Sequence, residues 1–326
     1  MPRIRTFAEL CVLFLLSGFA VSAEAQNVNA LGTRAQGMAG AFVGVADDAS
    51  AVYWNPAGLA SGAYFSLVLD GNADEAIPDG PDDSRAGKRS GGLVALTTPA
   101  LGISYFRLTA SMAASRTSGT ADLSEIVTHN VGFTLVQSLA DGIAVGATIR
   151  AVRGFAGAVE VDAPTADDAL ENWDVMGRTT SRLDLDVGLM ASGSLGRLGV
   201  VVRNVTEPGF ETGAGGELTL ERQVRAGGSI WLLHTWKLAA DVDLTRSRGV
   251  FSDVREAAVG TEGQITRRIA ARGGVRFNTA GDAGRSPAVA VGGSYAVTPS
   301  FLVDGQVTRG SDSAFQGWGV AGRVVF

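Results

Sequence analysis

Side chains able to act as nucleophiles, bases or metal ligands are few in this 326-residue chain. A Ser–His hydrolase needs an imidazole within reach of its serine and a third group to orient the ring. Of the two histidines, His129 shares its alternation with Val127, Val131 and Phe133 and so belongs to an apolar face, while His234 falls in a short link. Asp79, Asp82 and Asp83 gather three carboxylates, but their spacing matches no calcium loop, and a solvated acidic loop is the expected reading. Cys11 lies within an apolar N-terminal run, and the rest of the chain offers no thiol for a disulfide, a zinc site or a nucleophile. The residue inventory predicts no enzyme, no cofactor and no metal. Charges of both signs at alternate positions are more informative: Asp184 and Asp186, Arg203, Glu221 and Arg225, Asp241 and Asp243, Glu256 and Glu262, Arg272 and Arg276. Such residues can pair across neighbouring strands. A network of ion pairs filling an interior is expected, in preference to an ion-selectivity ring.

The segments that carry these charges alternate with period two. In Ile269–Asn278, Ile269, Ala271, Gly273, Val275 and Phe277 share one face and Arg272, Gly274, Arg276 and Asn278 the other. Leu183, Leu185, Val187 and Leu189 oppose Asp184 and Asp186, and Leu238, Ala240, Val242 and Leu244 oppose Asp241 and Asp243. Likewise Leu218, Leu220 and Val224 are set against Glu217, Glu221 and Arg225, with Arg222 out of pattern. Fourteen such segments run from Ala63 to Phe326, with twelve as an alternative count. Long polar links such as Gly71–Arg89, Ala158–Arg178 and Thr206–Gly216 alternate with short ones such as Thr98–Ala100, Ala140–Asp141 and Thr298–Ser300. That asymmetry is expected of an even-stranded antiparallel transmembrane β-barrel with long outer loops and short periplasmic turns. An Arg or Lys facing the bilayer midplane costs about 2–4 kcal/mol, so the charged parity is assigned to the lumen.

Composition agrees with a barrel. Glycine is abundant (44 residues), 46% of residues are hydrophobic and only 18% charged. A chain that spans a membrane without long apolar helices must close a sheet, because backbone groups in lipid need internal partners. A net charge of −6 without a basic stripe predicts no nucleic-acid partner. At the N-terminus Arg3, Arg5, the apolar run Leu10–Val21 and Ala23-Glu24-Ala25 read as a signal peptide over residues 1–25. The expected location is the bacterial outer membrane. Residues 26–62 do not alternate and are expected to form a plug inside a barrel of residues 63–326. The last strand, Trp318-x-Val320-x-Gly322-x-Val324-x-Phe326, ends on an outward aromatic. This resembles the signal read by barrel-assembly machinery.

The plug segment carries LGTRAQGMAGAFVGVADDASAVYWNPAGLA, from Leu31 to Ala60. Pro56 fixes its own φ and keeps Asn55 out of the helical region, so Asn55-Pro56-Ala57 is a turn leading towards the first strand. The block resembles that of the FadL-type transporters of long-chain fatty acids, of relatives that import aromatic hydrocarbons, and of PorV-like and TraF-like barrels. The resemblance implies a plugged channel for passive uptake of hydrophobic small molecules. Met38, Phe42, Val43, Val45, Tyr53 and Trp54 would then contact the ligand. Two departures are evident: the chain is shorter than typical fatty-acid transporters, and the link Met112–Asp122 is too short for their helical capture hairpin. The alternative is a non-transporting barrel that anchors or shuttles secreted proteins. Expected partners are a hydrophobic ligand, outer-membrane lipid and the assembly machinery, around a monomer.

Overall fold

The computed structural model describes residues 31–77, 85–116, 119–212, 216–232, 235–248, 253–280, 287–311 and 315–326. The signal segment, Asp79, Asp82, Asp83 and His234 lie outside the described residues. Fourteen antiparallel strands form one closed barrel, not twelve. They are β1 (Ser66–Ala76), β2 (Arg85–Thr97), β3 (Leu101–Ser115), β4 (Ala121–Ala140), β5 (Ile143–Val161), β6 (Gly177–Ser192) and β7 (Gly196–Arg203). There follow β8 (Gln223–Leu232), β9 (Trp236–Asp243), β10 (Glu256–Gln264), β11 (Ile269–Asn278), β12 (Ala288–Ala296), β13 (Phe301–Gly310) and β14 (Phe315–Val325). Each strand pairs with its neighbours in sequence, and β14 closes on β1 from Ser66 opposite Val325 to Ala76 opposite Phe315. Just beyond this seam Phe65 and Phe326 exchange backbone hydrogen bonds of 3.2 and 3.0 Å, and their rings meet at 6.0 Å. Phe326 faces outward, as the alternation of β14 requires.

The barrel strands pass the period-two rule in three dimensions. Leu183 and Leu189 are exposed on the outer face of β6 while Asp184 and Asp186 are buried inside. Arg272 and Arg276 of β11 are likewise buried, with Ile269 and Phe277 outside. β4 and β5 run 20 and 19 residues, well beyond the roughly 9–11 that a tilted strand needs to cross a bilayer. Their outer ends therefore stand clear of the membrane. Helix α3 (Ala166–Asn172) packs there, setting Ala166 and Ala169 against Ala86, Ala113, Ala121 and Leu123. Thr165 caps it by accepting from the Asp168 N–H at 3.1 Å.

One expected strand is broken. Glu217–Thr219 pairs with Gly209–Glu211 in a separate hairpin, and β8 begins only at Gln223. Leu218 and Leu220 consequently turn inward with Phe210 and pack on Ile126, Val152 and Ala156, instead of facing lipid with Val224. Glu221 stands in the link ahead of β8 and is not one of that strand's lumen charges; its carbonyl accepts from Asn204 Nδ2 at 2.9 Å. Arg222, the residue out of pattern, is exposed and bonds Glu207 and the Val205 carbonyl. Its misfit marks the break.

Candidate functional site: the plug and its seat

The N-terminal segment fills the barrel near the short-turn end. Two one-turn helices, α1 (Thr33–Gln36) and α2 (Ala51–Trp54), and the 3-10 turn Pro56–Ser61 are the regular elements among its described residues. Met38, Phe42, Val43, Val45, Tyr53 and Trp54 are all fully buried and belong to one apolar cluster with Leu93, Phe106 and Val201 of the wall. Phe42 meets Trp54 edge-on at 5.9 Å, and Tyr53 meets Phe106 at 5.4 Å. Trp54 Nε1 donates to the Leu31 carbonyl at 3.0 Å, so the buried indole leaves no polar atom unpaired.

Among the contacts that hold this segment, two contrast in their physics. The first is ionic. Arg34 makes a two-pronged contact with Glu262 of β10, both bonds at 2.7 Å, and also donates to Asp47 at 2.6 Å and Asp48 at 2.9 Å. Lys237 of β9 reaches Asp47 at 2.9 Å, and Arg272 of β11 reaches Glu262 at 2.6 Å. Burial opposes the charge on Asp47, but the Arg34 and Lys237 cations outweigh it and hold its carboxyl well below the usual carboxylate range. A polar cavity of about 410 Å³ adjoins this cluster at the short-turn mouth, lined by Arg34, Asp47, Lys237, Glu262 and Arg323.

The second fastening is neutral and steric. Asn55 Nδ2 donates to the carbonyls of Val43 in the plug and Leu189 in β6, both at 3.2 Å, and its Oδ1 accepts from the Ala57 N–H at 3.2 Å. Asn55 is extended (φ −163°), as the following proline demands. The wall admits this turn because three neighbouring strands present glycine to it. A Cβ on Gly188 would lie 2.1 Å from Asn55 Oδ1, one on Gly199 2.7 Å from Asn55 Nδ2, and one on Gly146 2.4 Å from the Ala57 nitrogen. Between the two fastenings Asp241 of β9 accepts from the Phe42 and Val43 N–H groups, each at 2.9 Å.

Above the plug the lumen is crossed by buried ion pairs. Arg150 of β5 binds Asp184 and Asp186 of β6 and also Asn130 and Asn204. Arg225 of β8 lies 3.4 Å from Asp241 and 3.2 Å from Asp243, and Arg276 lies 3.5 Å from Glu256. Arg203 stacks over the Tyr53 ring at 3.6 Å. At the short-turn mouth, by contrast, Arg272 and Arg323 share Asp304. Sequence reasoning overlooked Arg34, Arg150, Asp304 and Arg323, as well as the glycine seat. Asp304 had a usable signal, since it is the one charge on the inner parity of its strand.

Residues 106–243 match the family model described as "F plasmid transfer operon, TraF, protein". No curated protein matches the sequence. Solved structures that share the fold include the CymD monoaromatic hydrocarbon channel, at 13% identity and TM-score 0.65 over 93% of this chain and 99% of that one. A Pseudomonas aeruginosa FadL homologue aligns at 13% identity and TM-score 0.63 over 95% and 100% of the two chains. The P. putida toluene transporter TodX aligns at 12% identity and TM-score 0.62 over 94% and 99%. The protein is thus a fourteen-stranded, plugged barrel of the FadL fold, a type typical of the bacterial outer membrane. The resemblance carried by the N-terminal block agrees with the family model and with this fold.

Proposed function

We propose that the protein is an outer-membrane channel for passive entry of hydrophobic small molecules, closed in the conformation described and opened by displacement of its plug. The carrying observation is the apolar cluster of Met38, Phe42, Val43, Val45, Tyr53 and Trp54, packed on wall residues Leu93 and Phe106 at the centre of the lumen. An apolar ligand can replace such contacts without leaving buried polar atoms unpaired, whereas a polar solute cannot. Long-chain fatty acids and aromatic hydrocarbons are the substrate classes that fit this surface. The fold shared with hydrocarbon channels supports the reading. Cells making the protein should accumulate a labelled aromatic hydrocarbon or dodecanoate faster than cells without it, at unchanged permeability to small sugars. Equal accumulation in both, with the barrel shown to be inserted, would count against passage.

A second reading is a non-transporting barrel that anchors or shuttles secreted proteins. It is favoured by the density of buried ion pairs above the plug, which Arg150 and Arg225 exemplify. Under that reading the same accumulation assay is flat, and a secreted protein co-purifies with the barrel.

A further inference from the structure

The outer wall departs from its own rule. Reading across the strands at one level, Arg107 of β3 pairs with His129 of β4, and His129 pairs with Arg153 of β5. All three lie on the outward parity, among Tyr105, Val131 and Ile149, where charge is costly. Neither Arg107 nor Arg153 forms an ion pair or side-chain hydrogen bond with another described residue, although His129 Nδ1 meets the Tyr105 hydroxyl at 2.8 Å. Beyond Arg107 the same face of β3 continues with Thr109 and Ser111, so this level is the outer limit of the apolar band. The cost of an arginine falls to about 0–1 kcal/mol near the interface. That makes the residues tolerable there, but it does not explain why two cations flank an imidazole with no carboxylate in ion-pair contact. Glu125, further out on the same face, feels the field of Arg107 and closes no ion pair with it.

The row continues in the other direction as a trough. Arg107 pairs with Gly92, Gly92 with Gly71, Gly71 with Val320 and Val320 with Gly305. A Cβ on Gly71 or Gly305 would meet nothing within 4 Å. The result is an apolar groove of about 550 Å³ in the outer wall, lined by Leu69, Val94, Tyr105, Val303 and Val320, with Arg107 at its head. The groove is slanted. Arg153 lies ten residues from the short-turn end of its strand at Ile143, whereas Gly305 lies only four from Phe301. It therefore starts at the outer interface and descends into the bilayer.

We infer that this groove seats a phosphorylated lipid of the outer leaflet, its phosphate on Arg107 and Arg153 and one acyl chain along Gly92 and Gly71 towards Val303 and Val320. Guanidinium groups bind phosphate through paired N–H donors, and an anion over His129 can be shared by the cations on either side of it. An acyl chain needs an apolar channel without side chains across it, which Gly92 and Gly71 provide as far as Val320. The seat lies on the outside of the wall and is independent of what passes through the lumen.

Native mass spectrometry of the full-length barrel in detergent tests this, with hexa-acyl bis-phosphorylated lipid A and its dephosphorylated form as probes. The wild type should retain the phosphorylated lipid about tenfold more tightly than the dephosphorylated one. The double variant R107Q/R153Q should lose that preference. Gly71→Leu fills the trough where a side chain has open space, so it should fold with unchanged heat-modifiable mobility and still lose about tenfold in retention. Equal retention of both lipids by the wild type, or unchanged preference in R107Q/R153Q, would overturn the assignment. Displacement of the lipid by equimolar dodecanoate would overturn it as well, because the groove would then be a site for fatty carboxylates.

Discussion

The two fastenings of the plug lie on different strands and work by different physics. At Arg34 the plug is tied to β9 and β10 by full charges beside a polar cavity. At Asn55 it is tied to β6 by neutral hydrogen bonds and by a niche that β5, β6 and β7 leave open through Gly146, Gly188 and Gly199. An ionic tie is strong when intact and sensitive to ionic conditions; a steric niche is indifferent to both salt and pH. A plug can thus be located by one contact and latched by another. The Asn55 turn sets where the chain enters the wall, and the Arg34 cluster decides whether the segment before it stays down.

The largest expected effect is on the latch. Arg34→Ala leaves Asp47, Asp48 and Glu262 short of their shared cation, and breaking a buried pair from one side costs about 3–5 kcal/mol. Planar-bilayer recordings should show frequent large openings in this variant against a quiet wild type. A quiet Arg34→Ala channel with unchanged thermal stability would mean that the ion pairs do not hold the plug. Next comes the niche. Gly188→Leu forces the Asn55 turn out of its place, for about 1–3 kcal/mol of overpacking, and Asn55→Ala strands the Val43 and Leu189 carbonyls for about 1–3 kcal/mol. These variants should lower the melting temperature while keeping the plug salt-sensitive. Because the fastenings share no partner, Arg34→Ala and Asn55→Ala should add to within about 0.5 kcal/mol in a double-mutant cycle. A larger coupling energy would show that they act as one unit.

The smallest effect is that of pH. The Asp47 carboxyl is held below its ordinary value near 3.8, so the folded protein binds fewer protons there than the unfolded one. Its contribution is complete above that ordinary value and declines as pH falls through the depressed one. The share of opening frequency that Asp47 controls should therefore be flat from neutral pH down to about 4 and rise only below it. Asp47→Asn should lose that rise; a variant that keeps it would place the titrating group elsewhere.

Much of the fold was legible because lipid and lumen impose opposite polarities on a strand whose side chains alternate. Leu183 to Leu189 and Ile269 to Phe277 gave the outer face directly, and the long and short links gave the hairpin order. The failure at Leu218 and Leu220 has a physical cause. Period two tells which residues share a face, and an apolar face looks the same whether it meets lipid or turns inward under Phe210. Arg222 was the trace of the break, because a charge on the apolar parity is costly in lipid and free in a link. The plug turn at Asn55-Pro56 was readable from backbone chemistry alone. Its seat was not, since Gly146, Gly188 and Gly199 have no side chain to carry a polarity, and their role appears only when the opposing backbone is brought against them. Arg107 and Arg153 show the other limit: the rule that sends charge to the lumen lapses where the apolar band ends.

The most direct measurement deletes the plug and leaves the strands. A chain lacking Leu31–Tyr53 keeps Asn55 and every barrel strand, so it should insert with ordinary heat-modifiable mobility. The account predicts large, steady conductance for small polar solutes and loss of selective uptake of a labelled aromatic hydrocarbon or fatty acid. A deletion mutant that inserts normally, conducts like the wild type and takes up the ligand unchanged would contradict it.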